Sequence, residues 1–479
     1  MTDFEIGFEP KLTFLSESDK EKLLENALRV IEETGMEVQH EGAVKLLKDA
    51  GCTVEDENKV KIPAALVKKT MKTVPNNIAI YNREGVHTMD LGGRRAYYGT
   101  GSDLMWRVES ENMQRHHTQL EDIKTAAKVA DSLDNIDFIM SFAHPNDVNP
   151  ALSYLASFQA MVENSSKPIV TTADGRPDLK AMWEISCILR GGEEAYRKKP
   201  YWIQYAEPIS PLKHPFTSID KLMFCAETGS PCIYSPAPIS GSTAPMTVAG
   251  HVVQGLAESF FGMVIHQLTA KGAPFLMGIG AAVLDMATSQ CSYNAPEYML
   301  TYMSMVEMSN YLDIPNWGYG GTSDAQIPDG QATYEAGLEA FMSCFAGSNL
   351  NHDVGYLDFG LSGSLEMIII CDEMIDQIRR MHKGIPINDE TMALDVIKAG
   401  SEVGQFLTQP HTLKHVRKVQ WTPKLFCRQS YENWDAAGRT SLLDRARTKL
   451  EKILKEHQCQ SIDEKKVADI NQVVNSFLK

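Results

Sequence analysis

The sequence predicts an α/β fold: a (β/α)8 barrel with an N-terminal helical/β extension and a helical C-terminal arm. Three observations predict it. From about residue 120, short apolar runs recur, each followed by a helix-length segment, which is the pattern of a buried parallel sheet. Seven such runs can be counted, and an eighth near 95–100 brings the set to the eight a barrel needs. No Gly-x-Gly-x-x-Gly opens a helix after the first run, which counts against the rival, a doubly wound open sheet.

The elements follow in order. Residues 16–50 read as helices: Ser16 and Asp19 are cap residues, and Ile31, Val38, Leu46 and Leu47 fall in helix-like patterns between charges. Another helix starts within Lys61–Val67, with a proline near its first turn. The period then changes to strand-like alternation at Ile78–Tyr81 and Arg95–Tyr98, with Gly92 and Gly93 as a turn. The expected barrel strands are Asp137–Phe142, Pro168–Thr172, Tyr201–Tyr205, Cys232–Ser235, Pro274–Gly278, Pro315–Tyr319 and Leu350–Leu357. Glu366–Lys383 reads as one long helix, and Asp444–Lys479, rich in Lys, Glu and Leu, as a surface helix pair or packing arm. The expected division is an extension over 1–110, a barrel over 111–420 and an arm over 421–479.

Composition narrows the function. A net charge of -16 argues against nucleic acid as a partner, because neutralising phosphates needs a basic surface. Met1–Gly7 has no secretory pattern, and no uninterrupted apolar run approaches the roughly 20 residues of a membrane span. The nine cysteines are scattered singly, as for reduced thiols in a cytoplasmic protein.

The most informative stretch is Trp317 to Asp324, followed by Asp329, Gln331 and Glu335. Aromatics, glycines and carboxylates gather there at the end of a predicted strand, the edge where barrels do chemistry. The other strand-end residues are Tyr97, Tyr98, Trp106, Tyr205, Glu207, Tyr234, Ser235, His352, Tyr356 and Phe359. Such rings suit a cation bearing methyl groups instead of N–H donors, at about 0.5–2 kcal/mol per well-placed ring. The plainer alternative is that they fill the barrel mouth, with Asp329 capping a helix and Ser323 and Asp324 bonding within a loop. His411 and His415 have helix spacing, but no third metal ligand is evident. No Gly-x-Ser-x-Gly signals a nucleophilic serine.

Gly320–Asp324 with Asp329, Gln331 and Glu335 resembles the trimethylamine methyltransferase superfamily. Leu284–Ser289, Ala295–Glu297 and Gly404–His415 with Arg417 fit it too, and the likeness spans nearly the whole chain. Founding members read an in-frame amber codon as pyrrolysine; this chain runs through the region in standard residues, so it resembles the non-pyrrolysine branch. The resemblance implies a TIM barrel. It also implies transfer of a methyl group from a quaternary amine (glycine betaine, proline betaine, carnitine or γ-butyrobetaine) to Co(I) of a corrinoid protein. The expected cation cage is Tyr97, Trp317, Tyr319, Tyr356 and Phe359, and Tyr205 is expected to bind substrate as well. His352 and Gln331 are expected to anchor a substrate carboxylate, and Glu207 and Asp324 to act as catalytic positioning groups. No metal of its own is expected. The corrinoid partner is expected to dock at the barrel mouth, and the chain to form a homo-oligomer without membrane association. Two alternatives stay open: a zinc-dependent corrinoid methyltransferase for another donor, and a quaternary-amine binding protein.

Overall fold

The computed structural model describes residues 10–278 and 280–477. The segment Met1–Gly7, read above for its lack of a secretory pattern, lies outside them. The centre of the protein is a curled seven-stranded parallel sheet. Its spatial order is Tyr97–Tyr98, Leu350–His352, Asn316–Tyr319, Phe275–Gly278, Cys232–Tyr234, Trp202–Ala206 and Ile169–Thr171. Register pairs such as Leu350 with Tyr97 and Trp317 with Leu350 set neighbouring strands in place.

Asp137–Phe142, expected as a strand, instead lies between the two sheet edges through isolated parallel bridges, Gly99 to Phe138 and Ile139 to Ile169. The reason is local. The Thr100 hydroxyl donates to the Met140 carbonyl at 3.0 Å and accepts from the Met140 N–H at 2.9 Å. A side chain thus occupies the groups that a strand ladder would use.

Side chains alternate across the sheet with the period of two that strands impose. Val170, Ile203, Ile233, Leu276, Trp317 and Leu350 point into one inner cluster with Phe138 and Met140. Their neighbours, among them Trp202, Tyr234, Phe275 and Tyr98, pack outward against the helical layer. The inner cluster is completed by an antiparallel hairpin, Ile78–Tyr81 with His87–Leu91, which contributes Ile78, Ile80, Met89 and Leu91. Gly92 and Gly93 therefore follow the hairpin rather than turn it, and Arg95–Tyr98 feeds the parallel sheet. Ile80 is fully buried. Ile80→Ala is expected to cost about 2–5 kcal/mol in denaturant unfolding.

The N-terminal part is tied to the centre elsewhere as well. Met36–Val38 pairs in parallel with Lys213–His214 and antiparallel with Lys59–Lys61. Helix Glu17–Arg29 starts at Ser16, which forms a capping box with Asp19. It packs on Val248–Thr269, as does helix Ala64–Met71. Val248–Thr269 is long and apolar enough by composition to cross a membrane, which the search for an uninterrupted run missed. However, 72% of its most apolar window is buried, so packing within the protein accounts for its composition. Of the C-terminal helices, Leu365–His382 is the long helix expected. Leu442–Glu456 lies against it, and Glu464–Phe477 against Arg176–Arg190.

Candidate active site

The carboxyl ends of the parallel strands surround a cavity of about 570 Å³. Aromatic rings dominate one side. Trp317 and Tyr319 come from the Asn316–Tyr319 strand, His352 from Leu350–His352, Tyr356 from the turn beyond it and Tyr293 from the segment before helix Pro296–Tyr311. His352 lies between Trp317 and Tyr319, with ring centroids 4.2 and 4.5 Å away. Tyr293 contacts Tyr319 at 5.6 Å, and Tyr205 contacts Trp317 at 6.0 Å. Burial pushes the Tyr205, Tyr293, Tyr319 and Tyr356 hydroxyls up from the ordinary range, so all four are neutral phenols.

Burial disfavours charge on the titratable groups of this side. Burial lowers the His352 imidazole from 6.5 to about 3. Its Nδ1–H donates to the Gly318 carbonyl at 2.7 Å, which leaves Nε2 as the unprotonated nitrogen, 3.4 Å from Asp353 Oδ1. Burial raises the Asp353 carboxyl well above its ordinary value, with Glu339 and Asp103 adding to the shift. Burial thus disfavours charge on both groups beside the aromatic wall.

Glu207 lines the cavity at the end of Trp202–Ala206. Its Oε2 accepts from the Tyr205 hydroxyl at 2.8 Å, and burial raises its carboxyl. Asp103, Tyr154, Lys221, Tyr293 and Asp353 also line the cavity; none was singled out from sequence. Tyr293 and Asp353 each lie beside a motif that had been noticed. Asp103, Tyr154 and Lys221 sit in loops or on helices that carry no pattern pointing here.

Four expected site residues lie outside the lining. The Tyr97 hydroxyl accepts from the Asp90 N–H of the hairpin at 3.1 Å, and its ring lines a separate cavity with Arg94 and Arg379. Gln331 is exposed, and its amide donates to Glu335 Oε1 at 3.0 Å. Phe359 sits in the short turn Asp358–Gly360, of which Gly360 reaches the cavity. Asp324 accepts from the Ser292 hydroxyl and from the Tyr293 N–H at 3.0 Å, holding Tyr293 rather than facing the cavity. The conspicuous stretch therefore divides. Trp317 and Tyr319 face the cavity. Asp329 caps helix Gly330–Ala346 through the Ala332 N–H, and Glu335 accepts from the Ser323 hydroxyl and the Asp324 N–H. Among the described residues, no group of three or more His, Cys, Asp or Glu side chains is placed to hold a metal ion, His411 and His415 included.

Fold and cavity together define an α/β protein with a ring-lined cavity at the carboxyl ends of a curled parallel sheet. The chain belongs to the trimethylamine methyltransferase (MTTB) family, whose model matches residues 6–476. Trimethylamine methyltransferase MttB of Desulfitobacterium hafniense is 28% identical over 414 residues, 86% of this chain and 83% of the relative. A glycine betaine methyltransferase of the same species is 27% identical over 458 residues, 95% of each chain. Trimethylamine methyltransferase MttB of Methanosarcina thermophila is 27% identical over 410 residues, 84% of each chain. Among solved structures, the hydroxylamine complex of MtmB matches with a TM-score of 0.53 at 12% identity, covering 94% of this chain and 90% of that one. The monomethylamine methyltransferase MtmB of Methanosarcina barkeri matches at 0.51 and 12%, covering 92% and 89%. At such identity the likeness concerns the fold alone.

Proposed function

We propose that this protein is a methyltransferase that removes a methyl group from a quaternary amine of the betaine type and delivers it to Co(I) of a corrinoid protein. The observation that carries this reading is the cavity wall itself. Trp317, Tyr319, Tyr293 and Tyr356 present neutral rings around a neutral His352. Such an aromatic wall suits a methylated cation, which offers no N–H donors to acceptors.

The chemistry needs little else from the chain. A quaternary nitrogen carries its positive charge permanently, so the C–N bond breaks with its electron pair left on nitrogen and no proton is required. A corrinoid supplies, when bound, the nucleophile that accepts the methyl group. The chain's own residues hold the N-methyl carbon in place and exclude water. Positive charge disperses as the bond breaks, so a neutral wall releases it more readily than a carboxylate would. In this reading Glu207 orients Tyr205 through the 2.8 Å hydrogen bond, and Asp324 orients Tyr293. The eight-position (β/α)8 ring, counting the bridged Asp137–Phe142 segment, leaves its carboxyl end as the docking face for the corrinoid protein. A cytoplasmic location agrees with nine cysteines scattered singly along the chain. Assembly into a homo-oligomer agrees with the exposed apolar side chains of Ile385, Leu394, Leu407 and Leu413.

Mixing the purified protein with cob(I)alamin and single quaternary amines, trimethylamine serving as control, is expected to give the methylcob(III)alamin spectrum with a quaternary amine only. Silence with both free cobalamin and a corrinoid protein would remove the reading. Tyr319→Leu is expected to raise KM for the amine about tenfold, the equivalent of about 1.4 kcal/mol, with a smaller change in kcat. Initial rates of cobalamin methylation would read this.

A further inference from the structure

The cavity has a second, chemically opposite wall. Lys221, on helix Phe216–Thr228, is the one lysine or arginine among its lining residues. The Lys221 ammonium donates to the Ala173 carbonyl, just beyond strand Ile169–Thr171, and this is its single hydrogen-bond partner among the described residues. A lysine has three N–H donors, so two are unspent. Among the described residues, no carboxylate lies within ion-pair distance of Lys221. The acids that act on it electrostatically are Glu207, Asp174 and Asp178: Glu207 accepts from the Tyr205 hydroxyl, Asp178 accepts from the Gly175 N–H, and Asp174 is exposed.

Position supplies the rest. Along the sheet, Ile169–Thr171 is four strand places from Asn316–Tyr319, which bears Trp317 and Tyr319. In an eight-position ring, four places is directly across. A neutral aromatic wall thus faces a cation with free donors, the two ends that a zwitterion would require. The anchors expected from sequence do not supply this: Gln331 lies outside the cavity, and His352 donates its one N–H to Gly318.

We propose that Lys221 anchors a substrate carboxylate. The substrate class is then a quaternary amine whose carbon chain ends in a carboxylate, and not a bare tetraalkylammonium ion or an amino alcohol. This rests on the quaternary-amine reading above and adds a specificity-determining residue to it.

The test is calorimetric titration of the purified chain with glycine betaine and γ-butyrobetaine, and with choline and tetramethylammonium as carboxylate-free probes. At least one carboxylated amine is expected to bind more than tenfold tighter than either carboxylate-free probe. Lys221→Met is expected to erase that preference by weakening the carboxylated amines and not the carboxylate-free probes, and Lys221→Arg to keep most of it. Equal binding of both classes by the natural chain, no binding of a carboxylated amine, or a preference that survives Lys221→Met would each overturn the proposal. The wild-type comparison needs no variant to fold. Methyl transfer is scored separately with the same amines. A carboxylate preference without any methyl transfer removes the methyltransferase reading and keeps the anchor. Transfer from choline as fast as from the betaines keeps the reaction and removes the anchor.

Discussion

Gly101→Ala is expected to lower methyl transfer at least 100-fold. A Cβ at Gly101 would sit 2.0 Å from Asp353 Oδ1, 2.4 Å from Tyr356 Cζ and 2.5 Å from its hydroxyl. Neither neighbour can step aside cheaply. Asp353 is buried on a left-handed backbone, at φ 70°, and the Tyr356 ring lies edge-on to Phe142 with its hydroxyl on the Ser102 carbonyl. Phe142 in turn donates its N–H to the Gly101 carbonyl at 2.7 Å. Overpacking of this kind costs about 1–3 kcal/mol of stability. Displacing reacting groups by about 1 Å costs on the order of 10²-fold in rate. Urea unfolding together with initial rates separates the two effects: a folded variant with near-normal turnover would show that this wall does not position the substrate.

The second large effect concerns Glu339, which is fully buried beneath the Gly320–Asp324 loop. Its Oε2 accepts from the Gly321 N–H at 2.9 Å and the Thr322 N–H at 2.8 Å, and its Oε1 from the Tyr298 hydroxyl at 3.1 Å. Burial raises its carboxyl from 4.5 to about 8, against the opposing pull of those three donors. The folded state therefore keeps a proton that the unfolded chain gives up. The stability this supplies is complete below about pH 4.5 and falls as pH rises towards about 8, by up to ~1.4 kcal/mol per pH unit. Glu339→Gln, which stays neutral, is expected to flatten that part of the stability–pH profile. Identical slopes for the two proteins in thermal unfolding from pH 5 to 8 would refute the account. Glu339→Ala is expected to be worse than either, because each of three buried donors left unpaired costs about 1–3 kcal/mol.

Much of the fold was legible because a parallel sheet buried on both faces writes itself as short apolar runs. Six of the seven expected strands and the Tyr97–Tyr98 segment appear with boundaries off by a few residues. The exception, Asp137–Phe142, has the composition of a strand, but Thr100 takes over its backbone groups. The hairpin partner His87–Leu91 was missed because only Met89 and Leu91 of it are apolar and buried, while His87 and Thr88 face solvent. The candidate site was partly legible for a related reason. Of the residues picked by strand-end position, Tyr205, Glu207, Trp317, Tyr319, His352 and Tyr356 line the cavity. The same rule misplaced Tyr97, which begins its strand and bonds to the hairpin.

By itself the sequence determined the layered α/β plan, the family likeness and the aromatic strand ends, since all three are repeated or local patterns. Only the tertiary structure decided which half of the Trp317–Glu335 stretch faces the cavity. Only it showed that His352 and Asp353 are buried, and that Lys221 lines the same cavity as Trp317. Those facts depend on the curl of the sheet and on which side chains water cannot reach. Proximity between residues far apart in the chain, and the pKa shifts that burial imposes, leave no mark in the local order of amino acids.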